Sequence, residues 1–145
     1  MIPKIIHYCW LGDSEFPELV KKCIQSWKKK MPDWEFILWD KNCLKDLNSD
    51  WVNEAYSTKK YAFAADYIRL YAVNKFGGFY LDSDVEVLKN FAPLLDSPYI
   101  FALENEIGDI EAATFGSEPN NPYVQKCLSY YDCLLYTSDA ADDRI

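Results

Sequence analysis

The sequence lacks most of the patterns by which enzyme families are commonly identified. Its five cysteines are scattered and include no CxxC pair, which argues against a zinc site or a disulfide framework, so we interpret them as reduced thiols. Glycine loops of the GxGxxG and GxxxxGK(S/T) types are absent, and so is a GxSxG elbow. These absences remove the usual dinucleotide, NTPase and serine-hydrolase interpretations.

Long apolar runs and an excess of positive charge are also missing. No apolar run approaches the roughly 18 residues of a membrane span, and the N-terminus carries no basic stretch followed by an apolar run and a cleavage site. We therefore expect no membrane span, no secretory signal peptide and a cytoplasmic location. The net charge of -8 would repel a nucleic-acid backbone, and a phosphate-bearing ligand would need help from a cation or a helix N-terminus.

The chain does contain alternating strand and helix patterns. Half of its 145 residues are apolar and 17% are aromatic, which indicates a single soluble, globular domain. Strands are predicted at residues 4–10, 34–39, 79–87 and 99–103, and helices at 17–30, 61–76, 91–95 and 122–133. The alternation predicts an open, mainly parallel α/β sheet with helices on both faces. Such sheets bind ligands beyond the carboxyl ends of their strands, where Trp10, Asp40 and Asp82 lie.

The last dozen residues differ from the rest of the chain. Residues 134–145 show no apolar periodicity and resemble the translated sequencing-adapter tails found on some metagenomic reading frames. We therefore expect a domain over residues 1–133, a non-native tail over 134–145, and a native chain that continues past Cys133. The alternative is a natural acidic C-terminus.

The tripeptide Asp82-Ser83-Asp84 follows an apolar strand. Period-two alternation over residues 79–87 would place Tyr80, Asp82, Asp84 and Glu86 on one side of that strand. Mn²⁺ and Mg²⁺ prefer oxygen ligands, and commonly take one or two protein carboxylates together with substrate phosphates and water. The pattern predicts a divalent-metal site at Asp82 and Asp84; the alternative is a pair of solvated turn acids.

Asp66 and Arg69 stand three residues apart on the helix that leads into this strand. An i, i+3 pair shares one helix face, and a helix joined to the strand by Gly77-Gly78 should pack antiparallel to it. Both side chains would then lie near Asp82, where a carboxylate and a guanidinium suit a sugar phosphate. The alternative is a surface ion pair, worth about 0–1 kcal/mol.

Two further residues have competing interpretations. Trp10 ends the first strand and could form a stacking wall for a flat base, although a tryptophan there is more often part of a core. His7 is the single histidine and lies inside the same apolar strand. We expect a core or edge histidine whose ring nitrogens are hydrogen bonded, rather than a catalytic one.

Four segments of the chain form an ordered set: residues 2–12 (IPKIIHYCWLG), residues 32–35 with Trp39-Asp40 (PDWE, WD), residues 65–69 (ADYIR) and residues 77–84 (GGFYLDSD). In this order they resemble the successive signatures of the DXD-containing sugar-transferase family. The family groups bacterial capsular-polysaccharide sugar transferases with fungal initiating mannosyltransferases and, more distantly, the glucosylating bacterial toxins.

The resemblance implies an A-type glycosyltransferase fold and a role for each matching residue. Trp10 would stack on the donor base, and Asn42 would contact the base or ribose. Asp66 and Arg69 would hold the sugar and diphosphate, and Tyr80 would line the site. Asp82 and Asp84 would engage the ribose and a Mn²⁺ or Mg²⁺ ion, with Asp84 the more direct ligand of the ion. Asp82, Asp84 and Arg69 would thus serve catalysis.

The expected reaction is transfer of a sugar from a UDP- or GDP-sugar to a glycan or lipid-linked acceptor in capsular polysaccharide synthesis, with retention of anomeric configuration. Peripheral association with the inner face of a membrane is left open. Because related enzymes complete the metal shell and acceptor pocket with later residues, we expect this chain to bind donor weakly. The alternatives are a nucleotide-sugar hydrolase and a noncatalytic interaction module.

Overall fold

A single sheet organises the computed structural model, which describes residues 1–103 and 105–134. Within these residues the sheet has five strands: β1 (Ile5–Cys9), β2 (Glu35–Trp39), β3 (Gly78–Leu81), β4 (Tyr99–Leu103) and β5 (Ile110–Ser117). The helices are α1 (Glu18–Lys30), α2 (Leu44–Leu47), α3 (Asp50–Ser57), α4 (Tyr61–Phe76) and α5 (Pro122–Asp132), with 3₁₀ turns at Lys41–Cys43 and Ala92–Leu94. Apart from Leu134, the predicted tail lies outside the described residues.

The strand order is β2-β1-β3-β5-β4, and β5 runs against the others. The predicted mainly parallel α/β sheet is therefore confirmed. The sequence patterns did not predict β5, α2 or α3. No helix in the described part of the chain is long and apolar enough to cross a membrane.

Period-two alternation in β1 and β3 divides the core between the two faces of the sheet. One face packs against the buried side of α1, and its strand residues are Ile6, Tyr8, Phe79 and Leu81. On the other face, Tyr80 belongs to a cluster with Val73 of α4 and Val124 of α5. Helices therefore cover both faces, as predicted.

His7 is fully buried on the α4 side of the sheet. Its Nε2 lies 2.9 Å from the carbonyl oxygen of Gly77, and its Nδ1 lies 3.1 Å from Nε1 of Trp39. A carbonyl can only accept and an indole N–H can only donate, so Nε2 carries the proton and the ring is neutral. Burial lowers the pKa of His7, and the hydrogen bond to Gly77 opposes that effect. The expected core histidine is confirmed.

The buried imidazole predicts that the protein loses stability in mild acid. Below its ordinary pKa of 6.5, His7 takes up a proton in the unfolded chain before it does so in the folded protein. The unfolded state then binds more protons, so the free energy of unfolding falls as pH falls, by at most about 1.4 kcal/mol per pH unit. Urea unfolding between pH 8 and pH 5 measures this slope.

His7→Gln is the matched variant for that measurement, because its amide can donate to Gly77 and accept from Trp39 without titrating. We expect a shallower decline of unfolding free energy below pH 6.5 in the variant. Equal slopes for the two proteins would show that His7 is not the source.

Candidate active site

A cleft of about 760 Å³ lies between α4, α5 and the sheet, beside the carboxyl end of β3. Its walls are mostly apolar or backbone, with contributions from Phe101, Phe115 and Val124. The charged residues that line it come from α4, the end of β3 and the β4–β5 hairpin: Asp66, Arg69, Asp82, Asp109 and Glu111. A cleft of this size with a few convergent polar groups is typical of a small-molecule site.

Arg69 joins the two acids predicted to share its site. Its Nη2 lies 3.4 Å from Oδ1 of Asp66 and 3.5 Å from Oδ1 of Asp82. The side chains of Asp66 and Arg69 are only 12% and 11% exposed, so this is not a solvated surface pair, and that alternative is wrong. The antiparallel packing of α4 on β3 therefore brings the i, i+3 pair to the DxD segment.

The guanidinium of Arg69 is held on several sides by the protein itself. Its Nε donates to the carbonyl of Ala65 at 3.3 Å, and its Nη1 donates to the carbonyl of Ala112 at 2.7 Å. Its Cζ lies 4.9 Å from the ring centroid of Tyr80, which is a cation–π distance. Two of its five N–H groups are thus hydrogen bonded to backbone carbonyls, and its Nη2 lies between Asp66 and Asp82. Arg69 therefore helps to position Asp82; direct contact with a diphosphate stays a prediction.

Tyr80 lies beneath the pair formed by Arg69 and Asp82. The residue is 2% exposed, and its hydroxyl lies close enough to Asp82 to lower the pKa of that carboxylate. Burial raises the pKa of Tyr80 well above its ordinary value, so its hydroxyl keeps its proton and donates. Tyr80 therefore supports Asp82 from below rather than forming part of the cleft wall.

Asp82 is a carboxyl group in a partly buried place. Burial raises the pKa of Asp82, Arg69 and the Tyr80 hydroxyl oppose that effect, and the charges of Asp84 and Glu111 add to it. Its backbone N–H donates to the carbonyl of Ala113 at 2.9 Å, which fixes the residue where β3 ends. Converging negative charge at this point favours a bound cation.

The strand predicted over residues 79–87 ends at Leu81, so its second half is wrong. The N–H of Val85 donates to the carbonyl of Asp82 at 3.0 Å and closes a turn that leaves Asp84 exposed. Beyond the turn the chain crosses to α1, where Nε1 of Trp27 donates to the carbonyl of Val85 at 2.7 Å. Packing against α1 therefore outweighs the alternating pattern.

The predicted metal site was tested against these positions. The described residues hold no group of three or more His, Cys, Asp or Glu side chains that could bind a metal ion. Asp82 and Asp84 supply two carboxylates that influence each other electrostatically. Mg²⁺-type ions commonly take one or two protein carboxylates and complete their shell with phosphate and water, so the pair fits an ion that arrives with a phosphate ligand.

Trp10 follows β1 and Asn42 follows β2, both at the same edge of the sheet as Asp82. Neither is among the described residues that line the cleft. Trp10 packs edge-on against Phe16 with ring centroids 5.4 Å apart, and its Nε1 donates to the carbonyl of Ser14 at 3.0 Å. Asn42 is exposed, and its N–H donates to Oδ1 of Asp40. The structure thus groups Asp66, Arg69, Tyr80 and Asp82, but not these two.

The β4–β5 hairpin contributes two groups that the sequence patterns did not predict. Ala112 supplies the carbonyl that holds Arg69, and Glu111 lines the cleft with its Oε1 accepting from the N–H of Ala113 at 2.7 Å. Both belong to β5, the strand that was not predicted. The apolar and small residues of segment 110–116 were an available strand signal, although nothing local indicates that it reaches Asp82.

Comparisons with known proteins identify the family to which the chain belongs. The family model for the glycosyltransferase sugar-binding region containing a DXD motif matches residues 17–102. The chain is 30% identical over 139 residues to a mannosyl phosphorylinositol ceramide synthase of Saccharomyces cerevisiae, covering 91% of this chain and 36% of that protein. It is 34% identical over 101 residues to inositol phosphoceramide mannosyltransferase 3 of Schizosaccharomyces pombe, covering 67% and 28%.

Among solved structures, the PaToxG glycosyltransferase matches with a TM-score of 0.70 and 21% identity, over 88% of this chain and 59% of that one. The match confirms the glycosyltransferase fold that the resemblance implied. The chain spans 36% and 42% of the length of two of its curated relatives.

Proposed function

Because the chain belongs to the family of glycosyltransferase sugar-binding regions that contain a DXD motif, we propose that it is the donor-binding part of a sugar transferase. The observation that carries the proposal is the partly buried Asp66–Arg69–Asp82 arrangement at the edge of a cleft of about 760 Å³. The donor would be a UDP- or GDP-sugar. In transfer, the anomeric C–O bond breaks with its electron pair on the diphosphate, and the acceptor hydroxyl forms the new bond and loses its proton.

Asp82 and Asp84 would hold Mn²⁺ or Mg²⁺. When bound, such an ion offsets the charge that grows on the leaving diphosphate. Arg69 and Tyr80 keep Asp82 oriented, because both contact it from within the protein. Asp66 would accept hydrogen bonds from hydroxyls of the donor sugar. Retention of configuration is part of the proposal, and no carboxylate is assigned as a nucleophile.

The acceptor is proposed from the relatives. Two of them are named for inositol phosphoceramide or mannosyl phosphorylinositol ceramide, which favours a lipid-linked hydroxyl acceptor at a membrane surface over a capsular polysaccharide. We propose, as expected from the sequence, that the enzyme is cytoplasmic and meets this acceptor at the inner face of a membrane.

Thermal unfolding with GDP or UDP in the presence of Mn²⁺ tests the proposal. A ligand that binds the native state at about ten times its Kd stabilises it by about 1.4 kcal/mol, which raises Tm by about 4 °C in a domain of this size. If neither nucleotide shifts Tm at millimolar concentration with Mn²⁺, the proposal is wrong. Incubation with GDP-mannose or UDP-glucose and an excess of acceptor then separates transfer from hydrolysis, since a hydrolase releases free sugar regardless.

A further inference from the structure

We propose that Glu111 is a specificity-determining residue of the donor site, whose carboxylate accepts a hydrogen bond from a hydroxyl group of the donor sugar. The inference rests on the proposed function and extends it to a residue on the reversed strand β5. Its basis is the way the segment Glu111–Ala113 is fixed against Asp82 and Arg69.

The backbone that carries Glu111 is tied to the site at two points. The carbonyl of Ala112 accepts from Nη1 of Arg69 at 2.7 Å, and the carbonyl of Ala113 accepts from the N–H of Asp82 at 2.9 Å. Glu111 is therefore held in register with both residues, and it lines the same cleft. A side chain on so fixed a backbone can distinguish ligands by the position of a hydroxyl.

The carboxylate of Glu111 is itself oriented. Its Oε1 accepts from the N–H of Ala113 at 2.7 Å. An ionised carboxylate has about four lone-pair sites, so one N–H leaves most of its acceptor capacity for a ligand. Among the described residues, no lysine or arginine nitrogen forms an ion pair with Glu111. Its charge is instead felt at Asp82, whose pKa it helps to raise.

The parts of a nucleotide sugar differ in how well they would bind to an oriented carboxylate that has no lysine or arginine ion-pair partner among the described residues. The diphosphate is anionic and would be repelled. In the proposed function the metal ion is assigned to Asp82 and Asp84, which leaves the carboxylate of Glu111 for another part of the donor. Hydroxyl groups are neutral donors and form charge-assisted hydrogen bonds with carboxylates. Of the two hydroxyl-bearing parts, the sugar is favoured over the ribose because Glu111 shares the cleft with Asp66, the residue proposed to hold the sugar.

The experiment compares two kinds of ligand on the full chain. Calorimetric titration in the presence of Mn²⁺ measures the Kd of GDP-mannose and that of GDP. The same measurement gives the Kd of UDP-glucose and that of UDP. For the pair that the unaltered protein binds better, Glu111→Ala should weaken binding of the nucleotide sugar about 10- to 100-fold, as expected for a lost charge-assisted hydrogen bond. Binding of the corresponding nucleoside diphosphate should change by less than about threefold.

Two further variants make the result specific. Glu111→Gln keeps a carbonyl acceptor and should recover part of the lost affinity for the nucleotide sugar. Glu106→Ala removes the same charge from an exposed position on the same hairpin and should leave both affinities unchanged.

The inference is overturned if Glu111→Ala and Glu111→Gln weaken the nucleotide sugar and the nucleoside diphosphate equally, which would indicate a ribose contact or a structural role. It is also overturned if neither variant weakens the nucleotide sugar. Failure of the unaltered protein to bind either ligand would instead overturn the proposed function.

Discussion

Asp84→Asn should abolish the stabilisation that a nucleoside diphosphate and Mn²⁺ confer together. Asp84 is exposed on the turn after β3, so its carboxylate is free to meet an ion that arrives with the diphosphate. An amide oxygen is a neutral and much weaker ligand for a hard cation. The Tm increase of about 4 °C expected for the unaltered protein should fall to within error of the increase seen with EDTA in place of Mn²⁺.

Glu86→Gln is the matched control, because Glu86 is also exposed and lies two residues further along the same segment. It removes the same unit of charge and should keep the Mn²⁺-dependent increase in Tm. If both variants lose it equally, the effect is general electrostatic attraction and Asp84 is not a ligand. If Asp84→Asn keeps the full increase, the assignment of the metal to the DxD segment is wrong.

Gly78→Ala should be among the most destabilising single substitutions in the protein. Gly78 has φ +103°, and a Cβ there would lie 2.7 Å from the carbonyl oxygen of Ile5 and 2.8 Å from its Cβ. The left-handed backbone conformation costs an alanine about 1–2 kcal/mol. Overpacking against the neighbouring strand β1 costs about as much again, because the obstructing atoms include main-chain atoms that cannot move aside easily. We expect a loss of about 3 kcal/mol in unfolding free energy, measured by urea denaturation.

Gly108→Ala separates the two causes. Gly108 has φ +98°, but a Cβ there meets nothing within 4 Å, so the substitution introduces strain without a clash. It should cost about 1 kcal/mol. Equal losses for Gly78→Ala and Gly108→Ala would show that the contact with Ile5 relaxes without cost.

Local patterns predicted the elements whose boundaries depend on nearby residues. The helix over residues 61–76 coincides with α4, since Gly77, at φ +68°, follows it and stops it. The observed ends of strands β1, β2 and β4 agree with the predicted ends to within one residue. The same is true of α1, whose buried residues recur at helical spacing.

The site was predicted less completely, for an identifiable reason. Asp66, Arg69, Tyr80 and Asp82 were grouped correctly because a helix and the strand that follows it must pack together. The predicted placement of Asp84 within the strand was wrong, because the strand ends at Leu81 and contacts with α1 turn the chain after it. Glu111 was not predicted, because it reaches the site through pairing of β5 with β3, whose partners, such as Leu81 and Thr114, are far apart in the sequence.

The sequence by itself therefore determined the α/β class, the family, and the helix–strand unit that places Arg69 between two acids. The class and the helix–strand unit follow from hydrophobic period, helix-ending glycine and i, i+3 spacing, all of which are short-range, whereas the family follows from the resemblance of four sequence signatures. The tertiary structure alone decided that β3 ends at Leu81 with the N–H of Asp82 bonded to Ala113, that Tyr80 packs against Arg69 beside Asp82 and that Glu111 lines the same cleft. Those positions depend on strand register and on packing against α1, where residues far apart in the chain compete for the same space.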